Sequence, residues 1–395
     1  MLYSAKRIKL PFDSNFKRVP PREPADRQEN YLDRFDFHTL FSDAFVQDGR
    51  VWLIGPPFAN LEKEIRACTF KWNWQDVTES VHFENYNRMS RASFPVGEKN
   101  GYLEISGPLG EWSLDVETPP FEFGGAHMLV TQQQDNRLEW IAYWAFFNVQ
   151  VNKVDSIIIY DNCSELYSAE RIDQVLARIP GLKNHLVVKW DTPYGVPGGP
   201  NSVWDSDFGQ HISWEHCRRA FGNQAESVCI IDIDELPVSR SGKSLPNELR
   251  DSGKPALFFK RQPIRQYPNR SENFEGPRVH GDFSLGETRG AWLASKYVYS
   301  PSRLPENAQL LVHRISDLGD SQETSESVFA GHFDAIRVRW RHDEKSQVPT
   351  VSDPTKLQEP VELSIPLNTK FDEIQPLWFE LEKTLAEIIN SQASC

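Results

Sequence analysis

Ser227-Val-Cys-Ile-Ile-Asp-Ile-Asp-Glu-Leu-Pro237 runs an apolar stretch straight into three carboxylates and a proline. Such a run suits a parallel strand buried on both faces. On an extended backbone alternate side chains share a face, so Asp232 and Asp234 are expected to point together and Glu235 elsewhere. Two carboxylates on one face share a hard cation such as Mg2+ or Mn2+, whose shell substrate phosphates commonly complete. Ligands of open α/β sheets gather beyond the carboxyl ends of their strands. Alone, the same residues also read as an acidic turn capping a helix, because a short Asp-x-Asp recurs by chance.

The 395 residues suffice for one large domain and a smaller one. A net charge of -13 and a pI near 5.3 argue against nucleic acid or anionic membrane as the main partner, since both demand basic surface. Between Lys254 and Lys345, however, fourteen Lys or Arg stand against twelve Asp or Glu, so this segment suits an anionic ligand. Twelve Trp fit sugar-stacking platforms and, at least as well, a large aromatic core. Five scattered cysteines without a Cys-x-x-Cys pair suggest a reducing compartment and no structural zinc. No signal peptide or membrane-spanning run is recognisable, which leads to the expectation of a bacterial cytoplasmic protein, either free or peripheral at the inner membrane.

Residues 1–36, rich in Pro, Arg and Asp, are expected to form an arm, and 37–122, with short alternating stretches split by Gly-Pro turns, a β-rich module. From Ala126 the pattern becomes strand, helix, strand, helix, so residues 123–345 are expected to form an α/β domain with a mostly parallel sheet. Its helices are predicted near 135–149, 169–179 and 208–221, the last capped by Asp207. Strands are predicted at 126–131, 156–160, 185–190, 256–260, 292–299 and 309–313. Residues 346–395 hold a linker and a closing helix from Phe371 to Asn390, whose Ile374, Leu377, Leu381, Leu385 and Ile388 stripe suits packing or a homodimer contact.

Three groups of residues bear on chemistry. The acidic strand end would hold a cation that neutralises a departing diphosphate. His313 and His332 each offer a nitrogen to a metal or a donor to a phosphate, against an ordinary structural role. Among the cations Lys260, Arg261, Arg265, Arg289, Lys296 and Arg314, we single out Arg289 and Lys296 as charges facing the diphosphate. No Gly-x-Gly-x-x-Gly, P-loop or Gly-x-Ser-x-Gly motif is present.

In order and spacing, Leu138-Glu-Trp-Ile141, Ile157-Ile-Ile-Tyr-Asp-Asn162, Gln210 with Cys217, and Ile230-Ile-Asp-Ile-Asp-Glu-Leu236 resemble the GT-A glycosyltransferases of the family-2-like and family-92 type. Lys296 to Pro301, His313 and His332-Phe333 resemble that family's later segments, and the likeness covers about Ala126 to Arg341. It implies a GT-A fold, Rossmann-like, with a mostly parallel mixed sheet flanked by helices. It also implies a nucleotide-diphosphate sugar, a UDP-sugar first, as donor and a saccharide hydroxyl as acceptor in polysaccharide or glycoconjugate synthesis. Asp161 would line the nucleotide pocket and Asp232 would contact the nucleotide and support the metal. Asp234 would bind Mn2+ or Mg2+, and His313 would complete the metal site. Inversion at the anomeric centre would need a carboxylate base, with Glu287 ranked before Asp282 and Glu275. Two departures stand out: Gln132-Gln133 replaces the family's usual asparagine-glutamate, and Leu236 its phenylalanine. The alternatives are a carbohydrate-binding or scaffold protein that no longer catalyses and, further off, an Asp-x-Asp phosphatase lacking the threonine such enzymes place soon after the motif.

Overall fold

The structure, a computed structural model, describes residues 1–121, 123–198, 203–266, 268, 277–287, 292–338, 357–358 and 364–390. It divides into two units, one of Met1–Tyr3, Phe123–Lys189 and Gln224–Cys395, the other of Ser4–Glu122 and Trp190–Asn223. These bounds differ from the expected ones. The segment 190–223, including the helix Phe208–Ala220, groups with the β-rich residues rather than with the α/β sheet.

The first unit is mixed α/β around one nine-stranded sheet. Across it lie Leu2–Ser4, Asn184–Lys189, Ser156–Asp161, His127–Gln133, Ser227–Ile230, Leu293–Tyr299, Ala256–Ile264, Thr324–Phe333 and Glu235–Ser239. The four strands from Asn184–Lys189 to Ser227–Ile230 are parallel, and Leu293–Tyr299 pairs antiparallel to its neighbours on both sides. The parallel strands are buried on both faces, which is why they read as continuous apolar runs such as Ser156-Ile-Ile-Ile-Tyr. Leu138–Gln150 buries ten of its thirteen residues, including Trp144, Phe146 and Phe147, so it serves as a core helix rather than one with a single inward stripe.

Two expectations change here. Gln309–His313 is not a strand: Leu310 meets Ile315 in an isolated bridge, and the Leu311 amide donates to the Arg314 carbonyl, which folds the segment into a turn with His313 at its tip. The closing helix begins earlier, at Ser364, and carries Pro376 inside. It buries Leu367, Phe371, Ile374, Trp378, Leu381 and Leu385 against the sheet unit's core, while Leu377 is 53% exposed. The large Trp378 sets the inward register one residue from Leu377.

In the second unit, the expected β-rich character is present as two four-stranded antiparallel sheets. Residues 4–36, expected as an arm, pack into this unit. Ile8–Lys9 pairs with Thr39–Phe41, Ile8 and Leu10 enter the core, and the buried Arg18 guanidinium donates to the carbonyls of Asp36, Thr39 and Pro57. Asp207 precedes the helix Phe208–Ala220 as expected, but its carboxylate is bonded to Arg88 and His211 rather than to the helix amides.

Among the described residues no helix is long and apolar enough to cross a membrane.

Candidate functional site

The opening stretch stops being a strand at Ile230. The Glu235 amide donates to the Asp232 carbonyl at 3.1 Å, closing a turn, and Glu235 then starts the next strand. This turn breaks the two-residue alternation from which Glu235 was expected to point away. Its carboxylate instead folds back, with Oε2 accepting from the Asp232 amide at 3.2 Å.

Glu235 is fully buried and is held by cations from two neighbouring strands. Arg261 Nη1 donates to its Oε1 at 2.5 Å, and Lys296 Nζ lies 3.7 Å from its Oε2. The same Lys296, itself 0% exposed, donates to Asp232 Oδ2 at 2.9 Å. A buried carboxylate persists only with such partners, since loss of hydration is otherwise uncompensated. Lys296, expected to face a diphosphate, is therefore an internal counter-charge beneath the acidic turn.

His332 stands opposite Glu235 in the antiparallel pairing of Thr324–Phe333 with Glu235–Ser239. Its Nε2 lies 3.4 Å from Asp234 Oδ2, and its buried Nδ1 has no partner. The Phe333 amide also donates to the Asp234 carbonyl at 2.8 Å, fixing strand and turn together. Burial raises the Asp234 carboxyl above the usual range; His332 and Arg337 pull it down, and Asp232 and Glu235 push it up.

Ligand atoms from Asp234, Glu235 and His332 all lie within 4.8 Å of one another. Donors around one Mg2+ or Mn2+, each about 2.1 Å from the ion, sit roughly 3–4 Å apart, a spacing somewhat tighter than the limit within which this set falls. Two carboxylates with an imidazole are chemically suited to such a cation. The histidine brought to Asp234 is thus His332, not the expected His313, which lies outside this group and donates from Nδ1 to the Ser295 carbonyl at 2.8 Å.

A second polar cluster surrounds the end of the central strand. His127–Gln133 pairs with Ser156–Asp161 on one side and Ser227–Ile230 on the other, so Gln133, Asp161 and the acidic turn flank the point where strand order reverses. Ligands of open α/β sheets bind at such points. Asp161 is buried and accepts from Gln133 Nε2 at 2.6 Å and from Ser164 Oγ at 2.5 Å. Burial pushes its carboxyl up to about 6, opposed by the Ser164 bonds. Gln133 Oε1 meanwhile accepts from the Tyr167 hydroxyl and the Asn136 amide, each at 3.1 Å. An ionised glutamate at 133 could not make this donation to Asp161.

The remaining candidates fall elsewhere. Asp282 Oδ2 accepts from the Val279 amide at 2.8 Å and caps its own short turn. Glu287 lies in the strand Gly286–Glu287, of which only the backbone is described. Arg289 and Glu275 lie outside the described residues.

One contributor was missed by sequence reasoning. His280 is fully buried, stacks on Tyr143 at 5.5 Å and 14°, and has its Nε2 2.7 Å from the Ile233 carbonyl, inside the acidic turn. Burial lowers it to about 3, so the ring is neutral and Nε2–H is the donor. No local pattern links residues 47 positions apart.

Compared with protein-family models and with curated proteins, the chain matches none.

Proposed function

We propose that the chain is a glycosyltransferase of GT-A type that uses Mn2+ or Mg2+ and moves a sugar from a nucleotide diphosphate, a UDP-sugar first, to a saccharide hydroxyl. The observation that carries this reading is the Asp234, Glu235 and His332 donor set, one turn beyond the end of a parallel strand and beside a reversal of strand order. A cation bound there would offset negative charge on the leaving diphosphate.

The chain's own residues divide the remaining work. Asp234, Glu235 and His332 would supply the ligand atoms, Asp234 and His332 with side chains 14% exposed and Glu235 fully buried. Lys296 and Arg261 compensate the buried acid, and His280 orients the turn through its carbonyl. Asp161, clamped by Gln133 and Ser164, offers a fixed acceptor for a nucleoside's N–H or hydroxyl.

One observation favours the second reading, a saccharide-binding protein that does not catalyse: Asp232 is paired with Lys296 and Glu235 with Arg261. Thermal melting with UDP, GDP and CDP, each in Mn2+ and in EDTA, separates the two. The transferase reading expects a nucleotide-dependent rise in Tm that requires Mn2+ and is lost in Asp234→Asn. It fails if no nucleoside diphosphate shifts Tm in a metal-dependent way.

A further inference from the structure

The β-rich unit carries an aromatic feature that neither its core nor the acidic turn uses. Thr69–Trp72 and Gln75–Asp76 form a hairpin in which Trp72 pairs with Gln75, leaving Asn73 and Trp74 as a two-residue loop. Both loop residues have positive φ, 50° and 67°. This is the backbone of a turn that favours Asn-Gly, because only glycine occupies the second position without steric penalty. A bulky aromatic there is an outlier. Strain of this kind persists where surrounding structure imposes it, and it clusters at ligand-binding positions.

Trp74 gains little burial in return, since it is 75% exposed. It stacks on Tyr102 with centroids 6.1 Å apart and planes 28° from parallel. The loop is pinned beneath this pair: the Asn73 amide donates to the Tyr102 carbonyl, and Asn73 Oδ1 accepts from the Tyr102 amide, both at 2.9 Å. The two rings are therefore a fixed, solvent-facing platform.

The face around it has a definite chemistry. In Asn100–Gly107 and Gly110–Glu117, Leu103, Ile105 and Val116 face the core, so Tyr102 and Glu104 lie on the opposite, outer face. Asp115 sits across from Tyr102, and Lys71 and Ser113 flank Glu104. An exposed aromatic surface beside carboxylates, a hydroxyl and an ammonium matches a pyranose, whose C–H face packs on a ring and whose hydroxyls donate to carboxylates. Acid outnumbers base here, which disfavours polyanionic glycans and nucleic acid.

We propose that the Trp74 and Tyr102 platform is a binding site for neutral saccharides. It lies within Ser4–Glu122, and its binding requires neither metal nor nucleotide, so its test is separate from that of the transferase reading.

The test is affinity electrophoresis of the full chain in native gels containing a soluble β-glucan, an α-glucan, a galactomannan or alginate, with EDTA present. At least one neutral polymer should retard the wild type and alginate should not. Trp74→Gly should weaken the retardation about tenfold, the effect of losing one stacking ring, without lowering Tm, because glycine relieves the positive-φ strain. Trp74→Phe, which keeps a ring, should retain part of it. The proposal is overturned if no neutral polymer retards the wild type, if Trp74→Gly is retarded as strongly as wild type, or if Trp74→Phe is no better than Trp74→Gly. It is equally overturned if a lysine-rich peptide, rather than any saccharide, binds in a Trp74-dependent way.

Discussion

Replacing Lys296 by Met keeps the aliphatic stem and removes the charge beneath the acidic turn. In the wild type Lys296 and Arg261 face three carboxylates, Asp232, Asp234 and Glu235. The variant leaves Glu235 to Arg261 and Asp234 to His332 and Arg337, and removes the Lys296 partner of Asp232. Breaking a buried pair by removing one partner costs roughly 3–5 kcal/mol. Two features reduce that figure: the Asp232 side chain is 23% exposed and can recover hydration, and Glu235 keeps Arg261 at 2.5 Å. We therefore expect a loss of about 2–3 kcal/mol, read as a fall in Tm of roughly 5–8 °C in EDTA.

The same change makes the turn one unit more negative, so a divalent cation should bind it more tightly and restore stability by mass action. Melting curves of both proteins in EDTA and in 1–5 mM Mn2+, a range of order many Kd if the site is of ordinary affinity, test this. Mn2+ should raise the Tm of Lys296→Met by more than that of wild type and recover at least half the loss. The reasoning is refuted if the variant melts within about 1 °C of wild type in EDTA, or if Mn2+ stabilises wild type at least as much.

Three further outcomes follow from the cluster at Asp161 and from the closing helix. Because the folded-state carboxyl of Asp161 is raised to about 6, above its unfolded value near 4, the native state binds the extra proton, and this group's contribution to stability falls as pH rises from about 4 to about 6. Asp161→Asn should therefore match wild type near pH 4 and exceed it by up to about 2 kcal/mol above pH 6, measured by denaturant melts across that range. Gln133→Glu replaces a donor 2.6 Å from Asp161 by a second carboxylate; it should cost about 1–3 kcal/mol at pH 7.5 and less at pH 5, where the pair shares a proton, in the same melts. Trp378→Ala should cost about 3–5 kcal/mol and Leu377→Ala less than about 0.5 kcal/mol, a contrast that thermal melting reads directly and that the opposite ranking would sink.

What was legible in the sequence follows the range of the interactions concerned. Strands buried on both faces need no partner to be recognised, so Ser156–Asp161, Asn184–Lys189 and Ser227–Ile230 appear within a residue or two of their expected places. Of the stripe expected in the closing helix, Ile374, Leu381 and Leu385 are buried and Leu377 alone is exposed, because periodicity does not weigh Trp378 against Leu377 for the core. The β character of residues 37–122 showed in local alternation, whereas the recruitment of 190–223 and of residues 4–36 to the same unit depends on contacts such as Arg22 with Asp205 and His216 with Asp43, far apart in the chain.

At the candidate site the limit is sharper. Asp232, Asp234 and Glu235 were visible as a motif, but their division of labour rested on an extended backbone, and a single hydrogen bond from Glu235 to the Asp232 carbonyl replaces that backbone by a turn. Once the turn exists, the three carboxylates lie in different surroundings. Glu235 is fully buried and must be neutralised, which recruits Arg261 and Lys296 from other strands. Asp232 shares Lys296 at the boundary with solvent, and Asp234 faces the imidazole of His332. The choice of His332 over His313 has the same origin. Antiparallel pairing sets His332 opposite Glu235, whereas a local turn places His313 at its tip, bonded to the Ser295 carbonyl. A short acidic motif thus names the atoms available to a cation, while the neighbouring strands decide which of them remain free to take it.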